Sequence, residues 1–188
     1  MIAAMNEVKP GMHPHKYVLW IALVSIVMMF AGLTSAVIVK RNQANWLSFD
    51  IPLIFWYSTA VILVSSVTII LARKAFIERR MAQYKSLMLA TTVLGILFVI
   101  MQYMGFVSLW ENGITITRNV AFSFLYVIVG IHALHVIGGV IALLIVWLRA
   151  GNRHRKEYTT VPIDVLSTYW HFVDILWIYL LIFLMIIG

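Results

Sequence analysis

The run Tyr169-Trp170-His171-Phe172-Val173-Asp174 sets an imidazole and a carboxylate inside an apolar segment, Val165 to Ile187, that holds no other charge. An ionisable group in hydrocarbon is costly and marks a site of function or assembly. His171 and Asp174 are three residues apart, so on a helix they share a face and can form a direct or bridged hydrogen bond. His132 and His135 repeat that spacing in a second apolar segment. Read as ligands, His132, His135 and His171 would hold a metal, with Asp174 orienting one ring. In a haem reading, one histidine from each helix would grip the iron. Read as scaffolding, the same imidazoles hydrogen-bond between helices or to lipid headgroups. Three histidines on two helices are a weak ligand signal, and the scaffolding reading is preferred. Asp174 reads as a proton-relay carboxylate or as a buried hydrogen-bonded partner. Ser167, Thr168 and His171 precede it, but Ile175-Leu176-Trp177-Ile178 follow it, so a proton path through this chain alone is not expected.

The elements that must position these groups are membrane spans. Hydrophobic residues make up 63% of the 188 and charged residues 11%, far from a soluble balance. Five apolar segments run approximately Tyr17–Val39, Ile51–Ala72, Leu87–Trp110, Ala121–Leu148 and Val165–Ile187. Each suffices for a helix across ~30 Å of hydrocarbon, and the fourth is long enough to tilt or emerge. Barrel strands would be half as long and alternating. The expected fold is all-α: a polytopic membrane protein with an N-tail over residues 1–16 and a five-helix domain over residues 17–188. The first segment is not expected to be a cleaved signal. The absence of cysteine excludes disulfides, thiolate clusters, covalent c-type haem and a cysteine-bound copper centre. No phosphate-binding loop, nucleophile–base pair or zincin-like motif is present. The net charge of +7 sits between the spans and reports topology, not nucleic-acid binding.

Lysine and arginine set the expected orientation. The N-tail (Lys9, Lys16), the second connection (Arg73, Lys74, Arg79, Arg80, Lys85) and the last connection (Arg149, Arg153, Arg155, Lys156) carry eleven, against three in Lys40, Arg41 and Arg118. The positive-inside rule then places the N-terminus in the cytoplasm and the C-terminus outside. His13, His15 and His154 fall on that cytoplasmic side, where imidazoles that titrate near neutral pH are candidates for surface proton collection.

Tyr169-Trp170-His171-Phe172-Val173-Asp174-Ile175-Leu176-Trp177 resembles the last-helix signature of subunit III of haem-copper terminal oxidases. Gly130-Ile131-His132-Ala133-Leu134-His135-Val136-Ile137-Gly138-Gly139 is similar to that family's Gly-x-His-x-x-His-Val pattern. Ser65-Ser66-Val67-Thr68, Leu94-Gly95 and Gln102 match its Ser-Ser-x-Thr, Leu-Gly and Gln positions, in the right order. Five helices resemble the bacterial form, which lacks the first two helices of the seven-helix mitochondrial one. Two family carboxylates are missing. Ser25-Ile26-Val27-Met28-Met29-Phe30-Ala31-Gly32-Leu33 has isoleucine at the first glutamate position, and Gln102-Tyr103-Met104-Gly105-Phe106 has glycine at the second. Any role the family gives those glutamates is in doubt here.

The resemblance implies a non-catalytic, cofactor-free subunit of a proton-pumping respiratory oxidase in a bacterial inner membrane. It implies packing on subunit I, which carries haems and copper, beside subunit II, with subunit IV and a supercomplex as further partners. It also implies bound phospholipid and support of proton uptake. His132, His135, Trp170, His171 and Asp174 are the expected lipid-binding and assembly residues, with lipid between the first two helices and the last three. The alternatives are a b-type haem redox protein and a small proton-coupled transporter centred on Asp174.

Overall fold

A computed structural model describes residues 14–41, 47, 51–151 and 160–187. It contains α1 (Pro14–Arg41), α2 (Leu53–Ile77), α3 (Met81–Glu111), α4 (Val120–Gly151) and α5 (Val161–Ile187). All five are long and apolar enough to cross a membrane, and the described residues form no strand. The expected all-α, five-span class is therefore the observed one.

The helices outrun the apolar segments. Arg73 and Lys74, expected in a connection, lie in the last turns of α2, and Lys85 lies in the first turns of α3. Hydropathy marks only the hydrocarbon crossing. Lysine and arginine are good helix formers and continue the helix at headgroup level. Prolines sit where a helix tolerates them: Pro14 opens α1, Pro52 precedes α2 and Pro162 lies in the first turn of α5.

α2 and α3 form a hairpin closed by Glu78, Arg79 and Arg80. Arg80 N–H donates to Ala75 O at 2.9 Å and Arg79 N–H to Phe76 O at 3.1 Å, the paired bonds of a Schellman ending. Arg79 takes the left-handed position at φ 59°. α3 ends the same way, with Ile114 N–H to Leu109 O at 3.0 Å, Gly113 N–H to Trp110 O at 3.0 Å and Gly113 at φ 76°. Glycine suits that backbone; arginine adopts it against its Cβ.

α2, α3, α4 and α5 close a four-helix bundle in which α2 packs most extensively on α3. α1 packs on α4 and α5 and not on α2 or α3. The expected division of the first two helices from the last three is thus corrected: the gap lies between α1 and α2, over α5. The seam of α1 against its neighbours is a separate small core of Phe30, Val37, Ile128, Leu176, Leu180 and Ile187. One ion cluster spans the gap. Asp164, in the first turn of α5, receives Arg73 Nε of α2 at 2.7 Å and lies 3.5 Å from Lys16 Nζ of α1. A carboxylate there also complements the N-terminal end of the α5 dipole.

Candidate assembly and lipid site

The signature side chains of α5 divide between the interior and the surface. Trp170, Asp174 and Trp177 are buried, while His171 is half-buried.

Trp170 fills a slot cut by two glycines. A Cβ on Gly95 of α3 would lie 2.8 Å from Trp170 Cη2, and one on Gly139 of α4 would lie 3.0 Å from its Cζ3. Only glycine lets the indole lie flush against both helices. Its Nε1 donates to Ser65 Oγ of α2 at 3.1 Å. Thr68 Oγ1 and Thr91 Oγ1 pair at 2.8 Å between α2 and α3 in the same region. Small residues and hydroxyls hold helices together in lipid, where burial of apolar surface no longer distinguishes protein from solvent. Trp170 therefore locks α5 to three other helices at once.

Trp177 repeats the device on the same helix face. Its Nε1 donates to Thr59 Oγ1 of α2 at 2.9 Å. Its ring stacks on His132 of α4 at 5.1 Å and 26°, and meets Phe98 of α3 edge-on at 5.4 Å. His132 is fully buried, and Phe30 of α1 approaches its edge at 6.4 Å. Neither His132 nitrogen has a hydrogen-bond partner. Gln102 of α3 donates from Nε2 to Ser58 Oγ of α2 at 2.8 Å, and its Oε1 is unpartnered.

His135 is half-buried, with Phe30 at 5.8 Å and Nδ1 within 2.8 Å of Ile131 O in its own helix. Tyr169 OH donates to His135 O at 3.0 Å, a further tie between α5 and α4.

His171 and Asp174 share a helix face as expected but do not bond directly. His171 Nδ1 lies 2.6 Å from Ser66 Oγ of α2. Both oxygens of Asp174 are buried without a hydrogen-bond partner. The partner expected on α5 is thus replaced by one on α2.

The three intramembrane histidines are not brought together as ligands. His132 stacks on Trp177, His135 bonds its own helix and His171 bonds α2. Among the described residues no cluster of three histidine, aspartate or glutamate side chains could hold a metal. His13, His15 and His154 lie outside the described residues and side chains. Sequence reasoning overlooked Asp164 as a three-helix tie, although an acidic residue just after Pro162 is a helix-start signal. It also missed the separate tasks of Ser65 and Ser66.

A family model described as cytochrome c oxidase subunit III matches residues 16–188. The chain belongs to that family. Cytochrome c oxidase subunit 3 of Anopheles gambiae is 37% identical over 134 residues, 71% of this chain and 49% of that protein. The chain thus spans about half the length of the insect relative. Probable cytochrome c oxidase subunit 3 of Nocardia farcinica (strain IFM 10152) is 31% identical over 180 residues, 90% of this chain and 85% of that protein. The subunit III match covers α2 to α5 whole and α1 from Lys16 onward, including the glycine-lined slot around Trp170.

Proposed function

We propose that this chain is the non-catalytic subunit III of a proton-pumping haem-copper respiratory oxidase in a bacterial inner membrane, with its N-terminus in the cytoplasm. In this reading it packs on the oxygen-reducing subunit I beside subunit II, binds phospholipid and supports proton uptake. Haems and copper belong to the partners, and this chain carries no redox cofactor of its own. The observation that carries the reading is the use made of the signature residues. Trp170 and His132 brace helices in the interior, and family membership supplies the complex in which such a brace serves.

Within the proposed site, burial supports a division of roles. His132, Trp170 and Asp174 are 0%, 1% and 2% exposed, so theirs is the assembly role. His135 and His171 reach the surface, so the lipid-headgroup role falls to them. His13, His15 and His154 are assigned to proton collection at the cytoplasmic surface.

The test is purification through an affinity tag on this chain. A complex containing haem and copper chains, losing oxidase activity faster during turnover once this chain is removed, supports the reading. A chain that purifies without haem-bearing partners, or shows its own Soret band, overturns it.

A further inference from the structure

At the end of the bundle where α2 and α4 begin and α3 and α5 finish, the four helices do not close completely on one another. Phe55 of α2, Leu109 of α3, Leu125 and Val129 of α4, and Trp177 and Leu181 of α5 wall a cavity with room for one water-sized molecule. Each of these six is at most 4% exposed, so the cavity lies inside the bundle. Ile51 and Pro52, just before α2, line it too and are half-buried, so the way in passes them.

The walls are held in place. Trp177 is fixed by its bond to Thr59 Oγ1 and by its stack on His132. Phe55 leans on Trp177 with ring centroids 5.9 Å apart, and its ring tip rests against Gly105. A void persists where its lining does not relax into it, and the lining atoms there forgo dispersion contacts. A guest of the right size restores those contacts.

Chemistry selects the guest. No polar side chain among the described residues lines the cavity, and the indole N–H of Trp177 is already given to Thr59. A buried water needs about two to four polar partners and finds none here. An acyl chain is too large past its terminal methyl. Terminal methyls gather at the bilayer centre, whereas Pro52 and Leu184, which also line the cavity, stand at helix ends. Small nonpolar gases dissolve in hydrocarbon and satisfy both size and polarity.

We propose that this cavity is a binding site for one nonpolar diatomic gas molecule, of the class of dioxygen and dinitrogen, taken up from the bilayer past Ile51 and Pro52. The guest is held by dispersion contact with the rings of Phe55 and Trp177 and with the aliphatic walls, and no bond is made or broken. The site is a property of this chain and does not rest on the subunit reading.

Paramagnetic dioxygen speeds the relaxation of nuclei near it. The experiment is methyl nuclear magnetic resonance of the full chain, with 13C-labelled leucine and valine, in phospholipid nanodiscs under dioxygen, with dinitrogen at the same pressure as the diamagnetic reference. The enhancement at Leu125 and Val129 should be about threefold or more that at Leu143 and Val136, which are as buried but lie in close-packed interior away from the cavity lining. Val129→Ala should raise the enhancement at Leu125, and Val129→Phe should bring it to the Leu143 level. If Val129→Phe does not insert stably, Val129→Ile, which also takes up space, should lower it. Equal enhancement at Leu125 and Leu143 overturns the proposal. So does an enhancement unchanged by Val129→Ala and by the filling variant, or cross-relaxation from water to the Val129 methyls. None of these results touches the subunit reading, which stands or falls on co-purification.

Discussion

Phe55 occupies the space that a side chain on residue 105 would need: a Cβ built on Gly105 would lie 2.8 Å from Phe55 Cζ. The resemblance drawn from the sequence sets a glutamate at the position of Gly105. Phe55 of α2 thus closes the space beside Gly105 of α3. We expect Gly105→Glu to lower stability by about 1–3 kcal/mol through overpacking. Gly105→Glu combined with Phe55→Ala should recover part of the loss, because the ring is the obstacle. Thermal unfolding of the purified chain in detergent gives both numbers. Equal melting of Gly105→Glu and the parent would show the ring to be freely displaced.

The Trp170 slot predicts a coupled pair. Gly95→Ala places a methyl 2.8 Å from Trp170 Cη2, and the expected cost is about 1–3 kcal/mol. Trp170→Phe removes the indole edge and the bond to Ser65, so the same glycine substitution should cost less in that background. Residues in direct contact show such non-additivity, typically about 0.5–3 kcal/mol. A double-mutant cycle that closes additively would contradict the slot.

Arg79 predicts a gain. It holds the left-handed position that Gly113 holds at the end of α3. Arg79→Gly should stabilise the α2–α3 turn by about 1 kcal/mol, while the β-branched Arg79→Val should weaken it. Chemical denaturation midpoints order the three chains.

Asp164 predicts a change in spacing at one end of the bundle. Its pairs with Lys16 and Arg73 are partly exposed, so Asp164→Asn should cost only about 0–1 kcal/mol in stability. The larger effect is geometric, because α1 does not pack on α2 and this carboxylate reaches both. The chain has no cysteine, so a pair of spin labels can be introduced without removing native thiols. Labels at Val18 and Leu71 should give a broader distance distribution in Asp164→Asn than in the parent. An unchanged distribution would mean that α4 and α5 alone position α1.

The substitution series at Asp174 separates polarity from charge. Asp174→Asn should be tolerated better than Asp174→Leu, because the amide keeps hydrogen-bonding capacity in the buried site. Recovery of the tagged complex with its haem-bearing partner is the measurement. If both variants assemble as the parent does, Asp174 has no part in assembly.

Helix number and class were legible because apolar runs of bilayer length leave little alternative in lipid. The signature on α5 also drew attention to Trp170, which the structure buries against glycines of α3 and α4. What each residue touches was not legible. Ser65 and Ser66 are adjacent, so they project about 100° apart on a helix. One meets Trp170 and the other His171, and that choice depends on the rotation of α2 against α5. The His171–Asp174 pair was inferred from spacing within one helix, whereas a hydroxyl of a second helix takes the imidazole. The placement of α1 was missed for a related reason. Consecutive elements are usually neighbours in space, and here α1 passes over α2 and α3 to pack on the last two helices.

That placement imposes an order on biosynthesis. Of the five described helices α1 is made first, yet both of its packing partners are the last two of the five. The α2–α3 hairpin can close as soon as its own residues have been inserted, while α1 waits in the bilayer for α4 and α5. The small core around Phe30 and Leu180 is therefore a late event, completed only when translation of α5 is nearly finished. A chain stopped before α5 would retain its hairpin but leave its first helix without most of its seam.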